Sequence, residues 1–183
     1  MRSRKLSEET TARALETIER NTKLQTQLIK DLLDMSRILQ GKLNLNMKLV
    51  NLVFIIKNSV ETIRQLAEAK AIQIETILDD KTFYVEGDST RLQQIIWNLL
   101  LNAVKFTPEG RRVTIALKYF DSYAQIQVSD TGKGISPEFL PHVFERFSQE
   151  STSTTRKYGG LGLGLAIVRH LTKLHGGSVA GIA

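Results

Sequence analysis

The stretch from Ser89 to Phe106 can only be an interior helix, and it constrains the rest of the chain more than any other feature. Leu92, Ile95, Ile96, Leu99, Leu100, Leu101, Ala103 and Val104 make it apolar nearly all round, so structure must cover it on more than one side. Ser89 or Thr90 suits the N-cap, and Pro108 with Gly110 stops the helix after Phe106. Yet Asn98, Asn102 and Lys105 recur at i, i+4 and i+7 and share one face. Asparagine is a poor interior helix former, and a buried amide without partners costs roughly 2 kcal/mol or more. Either neighbouring loops hydrogen-bond these groups, or they serve a hard cation and a phosphate. Mg²⁺ takes oxygen ligands and borrows phosphate oxygens, so one amide oxygen can suffice from the protein.

The remaining pattern predicts helices and strands without βαβ regularity, an α+β layered sandwich. From about Ser7 to Leu39 one long helix is expected, since Leu15, Ile18, Thr22, Gln25, Ile29, Leu32, Ser36 and Leu39 alternate spacings of three and four. A second row (Leu24, Leu28, Leu32, Met35, Leu39) widens the stripe, and Gly41 stops it. So wide an apolar face needs a partner, and no second helix is apparent near it, which points to oligomerisation or to a piece missing from a larger protein. Leu43, Leu45, Met47 and Leu49 alternate as a strand would. A helix over 52–70, strands at 72–77 and 83–85, and a hairpin of 113–120 with 124–129 follow. A Gly, Ser and Thr-rich loop holds a short helix near 137–147, and a last helix covers 162–174.

Composition narrows the chemistry. Among 183 residues there is no cysteine, which excludes disulfides, thiolate metal sites and a cysteine nucleophile. His142, His170 and His175 lack the His-x-x-x-His spacing of a zinc enzyme. The net charge of +6 is spread, nine basic and six acidic residues in 1–45 against sixteen and thirteen in the rest. It suits acidic partners rather than nucleic acid, whose arginine stripe and aromatic platforms are missing. No apolar run approaches the roughly 18–20 residues of a membrane span, and no secretory leader opens the chain, so a cytoplasmic protein is expected.

Two glycine-rich blocks remain. Asp130-Thr131-Gly132-Lys133-Gly134-Ile135 follows a predicted strand. It reads either as an ordinary turn or as a carboxylate placed to accept from an exocyclic amine, with glycines letting backbone approach a flat ring. Gly159-Gly160-Leu161-Gly162-Leu163-Gly164-Leu165 opens the final helix. Its amides could face an anion, although it is neither a Walker A loop nor a Rossmann fingerprint.

In this order, NLLLNAVKFTPEG (98–110), DTGKGI (130–135), VFERFSQ (143–149) and GGLGLGLAI (159–167), the chain resembles the N, G1, F and G2 boxes of sensor histidine kinases of two-component systems. The resemblance implies a Bergerat-type ATP-binding sandwich, one mixed β-sheet packed on helices, preceded by a single long bundle or coiled-coil helix. Residues 1–45 match the second helix of the family's dimerisation and phosphotransfer hairpin, and 46–183 a C-terminally truncated catalytic ATP-binding domain. The implied cofactors are ATP and Mg²⁺. Asn102 matches the metal ligand, with Asn98 and Lys105 as catalytic neighbours of the phosphates. Phe106, Asp130, Gly132, Gly134 and Ile135 match the adenine pocket, and Gly160, Gly162, Leu163 and Gly164 the hinge of a lid over the triphosphate. Arg146, Arg156 or Lys157 is a possible γ-phosphate contact, Phe144 and Phe147 match anchors of the lid, and Asp88 and Arg91 fit ligand contact no better than a local cap or ion pair.

There are departures. Leu161 stands where threonine is frequent and Gln149 where a basic residue is, and the chain stops near Gly176-Gly177-Ser178-Val179, before a further strand the family has. No H box is present, so the phosphoacceptor histidine is expected on another segment, and the chain reads as a fragment. The implied partners are that histidine-bearing helix, a response regulator receiver domain and a second copy in a homodimer. Related ATP hydrolases carry a glutamate base where this chain has Asn98, which favours phosphoryl transfer to histidine over the alternatives, an ATPase or serine kinase of the same fold, or a non-catalytic dimerisation module.

Overall fold

A computed structural model describes residues 8–79, 84–150 and 161–182. Helix α1 spans Glu8–Leu39, strand β1 Lys48–Asn51 and helix α2 Leu52–Glu68. Strands β2 (Gln73–Leu78) and β3 (Tyr84–Gly87) precede helix α3, Ser89–Phe106. Strands β4 (Arg112–Tyr119) and β5 (Ala124–Asp130) lead, through one 3-10 turn at Leu140–His142, to helix α4, Gly164–Leu174.

Helix α3 is apolar on nearly every side because it lies between two cores. Ile96, Leu100, Ala103 and Val104 pack with Ile56, Ile63, Val113, Ile115 and Leu117 of α2 and β4. Ile95 faces the other way, into a cluster with Leu163, Ile167, Val168 and Leu171 of the α4 region and Met35 and Ile38 of α1. Each such fully buried side chain contributes about 1.5–3 kcal/mol, so the central helix links both layers. Its ends are fixed by polar groups. Asp88, not Ser89 or Thr90, is the N-cap: Oδ1 accepts from the Thr90 and Arg91 amides at 3.0 and 3.1 Å. Its other oxygen accepts from the Asn46 amide at 2.9 Å. At the far end the Lys70 ammonium donates to the carbonyls of Val104, Lys105 and Thr107, a cation on the negative end of the helix.

Strands packed on helices give the expected α+β sandwich, but among the described residues they fall into two hydrogen-bonded sheets rather than one mixed sheet. β1 and β3 pair antiparallel, while β2 runs parallel to β4 and β4 pairs antiparallel with β5. The anticipated strand through Leu43 and Leu45 does not form. Pairing begins at Lys48, and Leu43 packs instead on the cluster around α4. The expected helix at 137–147 is reduced to the 3-10 turn, and the last helix starts at Gly164 rather than at 162.

Helix α1 corrects a second expectation. Among its described side chains, Asp31, Asp34, Met35 and Ile38 are buried, whereas Leu15, Ile18, Ile29, Leu32 and Leu39 of the anticipated stripe are exposed. A partner helix does exist within the chain for its C-terminal end, namely α4 with α3. The Arg91 guanidinium donates to Asp34 at 2.7 Å, and Gln94 donates to the same carboxylate oxygen at 2.8 Å. Asp88 and Arg91 thus act as a cap and an ion pair here.

A candidate nucleotide site between α3 and two glycine-rich loops

The i, i+4 spacing of Asn98 and Asn102 aims both amides at the start of α4. A Cβ added to Gly164 would lie 3.3 Å from Asn98 Oδ1 and 3.8 Å from Asn102 Nδ2, so glycine alone leaves ordinary contact there. Asn98 is 3% exposed, and its Nδ2 has no hydrogen-bond partner among the described residues. A buried donor left unmade is costly, so this one calls for an acceptor beyond the described residues. The first amides of α4 have no helical carbonyl to meet, and Leu163 at the N-cap provides no side-chain bond. Donors from two helices therefore flank one spot, an arrangement suited to an oxyanion.

One turn on, Lys105 is half-buried, with Nζ 4.9 Å from the centre of the Phe106 ring. Burial holds its ammonium below the ordinary lysine range. Phe106 is half-buried at the helix terminus, and Lys133 Nζ lies 5.9 Å from its ring.

Strand alternation brings Asp130 to the same region. Val128 and Asp130 lie on one face of β5, opposite Ile115 and Val113 of β4, whose side chains enter the first core. Asp130 thus points toward the helix layer, but from the strand end, where it is exposed. Its Oδ1 accepts from the Gly132 amide at 2.8 Å. A Cβ on Gly132 would fall 2.6 Å from that oxygen and 2.8 Å from the Phe106 carbonyl. Loop and helix end therefore touch through backbone, as only glycine permits. Gly134 adopts φ +71° with open space around it, and Ile135 is half-buried.

The second loop is fixed by Gly162, at φ +67°, where a Cβ would meet the Ser148 carbonyl at 2.6 Å. The Phe147 amide donates to the Gly162 carbonyl at 3.0 Å. Leu163 turns its side chain into the second core, so only its backbone is available to a ligand. Gly160, Arg156 and Lys157 lie outside the described residues. Arg146 is exposed, and Phe147 anchors through its backbone while its ring stays in solvent. Apart from Arg146 and Phe147, the predicted residues from Asn98 to Gly164 that are described line one broad open cleft, which extends well beyond them.

Sequence reasoning missed three contributors. Lys70 holds the end of α3 that carries Phe106, and its distance of more than thirty residues in sequence left no local signal. His175 seats α3 from the other side: its Nε2 accepts from the Asp88 amide at 3.1 Å while Nδ1 donates to the Leu171 carbonyl at 2.8 Å. Glu150 bonds Lys133 and the Ser136 amide.

No helix among the described residues is long and apolar enough to cross a membrane. The profile of a family described as histidine kinase-, DNA gyrase B- and HSP90-like ATPase matches residues 87–181. The hybrid signal transduction histidine kinase D of Dictyostelium discoideum is 38% identical over 90% of this chain, which spans 13% of that protein's length. A mycobacterial sensor histidine kinase, MprB, superposes with a TM-score of 0.61 at 34% identity, over 71% of this chain and 80% of that one. The full-length kinase ShkA, solved in complex with AMPPNP, gives 0.74 at 30% identity, over 92% of this chain and 35% of its own. Carrying the ATP-binding domain that its sequence motifs anticipate, this chain belongs to the family of histidine kinase-, DNA gyrase B- and HSP90-like ATPases.

Proposed function

We propose that the chain is the Mg·ATP-binding catalytic segment of a sensor histidine kinase, which passes the γ-phosphoryl group of ATP to a histidine carried by another segment. On this reading residues 1–45 are the second helix of the dimerisation hairpin, and 46–183 are the ATP-binding domain. The histidine-bearing helix, a receiver domain and a second copy are its cytoplasmic partners. The observation that carries the reading is the buried Asn98 Nδ2, without a partner among the described residues, beside Asn102 and set against an α4 N-terminus that has no side-chain cap.

The residues fit the absent groups. Asn102 would offer its amide oxygen to Mg²⁺, and among the described residues no group of three or more His, Cys, Asp or Glu is available to hold a metal ion, which suits an ion completed by phosphate oxygens and water. When bound, Mg²⁺ supplies neutralisation of phosphate charge. Asn98 Nδ2 and the first α4 amides would donate to phosphate oxygens, and Lys105 would add a point charge held ready by partial desolvation. Phe106 would pack on adenine, with Asp130 accepting from its amino group and Gly132, Gly134 and Ile135 shaping the pocket. Gly160, Gly162, Leu163 and Gly164 would serve the phosphates through backbone alone. Catalysis would then be placement and charge stabilisation of an in-line transfer. Asn98 cannot act as the base that hydrolysis requires, which separates this reading from an ATPase.

The test mixes the chain and Mg·ATP with a separately made helix bearing a histidine. Acid-labile phosphate on that helix is expected, and it should vanish with Asp130→Asn. Rapid hydrolysis with no phosphoprotein, or calorimetric ATP binding indifferent to Asp130→Asn, would refute the proposal.

A further inference from the structure

The contacts around the cleft form a circuit that begins and ends on α3. Asn98 and Asn102 meet Gly164, and Gly162 rests on the backbone of Phe147 and Ser148. Two residues on, the Glu150 carboxylate accepts from the Ser136 amide at 3.3 Å with one oxygen and from the Lys133 ammonium with the other. Lys133 adjoins Gly132, which touches the Phe106 carbonyl and so returns to α3. Three other links in this circuit are close approaches to a glycine, at Gly164, Gly162 and Gly132. Between the Asp130 loop and the segment after the 3-10 turn, two hydrogen bonds converge on this carboxylate, which grips residues 133 and 136 together.

We infer that Lys133 and Glu150 are positioning residues for nucleotide binding, their ion pair closing the wall at the base-reading end of the cleft. This rests on the ATP reading above and adds residues to which that reading gives no role. Both side chains are only partly exposed, 34% and 23%, so the pair is screened less than a fully solvated one. Glu150 is held below the usual carboxylate range chiefly by its bond to Lys133, so it is a carboxylate at neutral pH. With the pair broken, the 130–136 turn keeps the Ser136 bond to Glu150 but loses the hold on Lys133, and it samples more arrangements in which Asp130 is misplaced. Apparent affinity then falls by the fraction of time spent there. The pair lies on the Phe106 side, so this loss should not depend on how many phosphates the ligand carries.

Calorimetry on the full chain with ATP, ADP and adenosine tests this. Lys133→Met and Glu150→Gln should each weaken all three ligands by the same factor, about threefold to tenfold. The double variant, Lys133→Met with Glu150→Gln, should lose no more than the weaker of the two single ones. Lys105→Met should instead weaken ATP and spare adenosine. Undiminished binding in both single variants, or fully additive losses in the double variant, overturns this inference alone. Failure of the unaltered chain to bind any of the three overturns the ATP reading, and this inference with it.

Discussion

Gly164→Ala should separate binding from folding. The added methyl would sit 3.3 Å from Asn98 Oδ1 and 3.7 Å from its Cγ, a few tenths of an ångström inside comfortable contact. Gly164 has no left-handed backbone to strain, and it opens a helix, where alanine is favoured over glycine by up to about 1 kcal/mol. The chain should therefore fold as well as before, with a melting temperature within about 2 °C of the parent. Asn98, packed on its other sides, must move away from the helix start. Loss of one hydrogen bond to a charged phosphate costs about 1.5–3 kcal/mol, or roughly tenfold to a hundredfold in Mg·ATP affinity. Gly162→Ala is the control with the opposite signature. There the methyl would lie 2.6 Å from a backbone carbonyl at φ +67°, and the left-handed strain alone is about 1–2 kcal/mol. It should lower the melting temperature by about 5 °C or more. Calorimetric titration and thermal unfolding of both variants are the assays. Unchanged Mg·ATP affinity in Gly164→Ala would show that the asparagine pair is not in the nucleotide's path.

Two further outcomes follow from the charged groups. Burial raises the Asp88 carboxyl, but hydrogen bonds from the Asn46, Arg91 and Thr90 amides outweigh it and leave the value lowered. Its stabilisation is thus present above the unfolded carboxyl value and lost as pH falls through the lower folded one. Asp88→Ala should cost about 1–2 kcal/mol at neutral pH, and urea unfolding should show the gap to the parent closing in acid; a gap of constant size would refute it. Lys105 loses its proton below the ordinary lysine range through burial, and a bound triphosphate should restore it. Alkaline ATP binding should then take up protons, visible as a buffer-dependent enthalpy that disappears in Lys105→Met. An enthalpy independent of buffer would argue against contact between Lys105 and phosphate.

Much of this molecule follows from local pattern. The period of α3, the apolar alternation of β4 and β5 and the order of the glycine blocks are legible along the chain, because each depends on neighbours within a few residues. So is the shared face of Asn98, Asn102 and Lys105. Tertiary structure alone decided which side of α1 is buried. Its Leu15 to Leu39 stripe has the better apolar period, but the 31/34/35/38 row meets α3 and α4, and Arg91 with Gln94 makes burial of Asp34 tolerable. It also decided that the strands divide into two sheets, since pairing depends on segments brought from far apart. The same holds for Lys70 under the end of α3 and Glu150 across from Lys133, each a charge whose partner lies at a separation no periodicity records. The sequence by itself determined which side chains could do chemistry; the packing of α3 between two cores decided that they face one cleft.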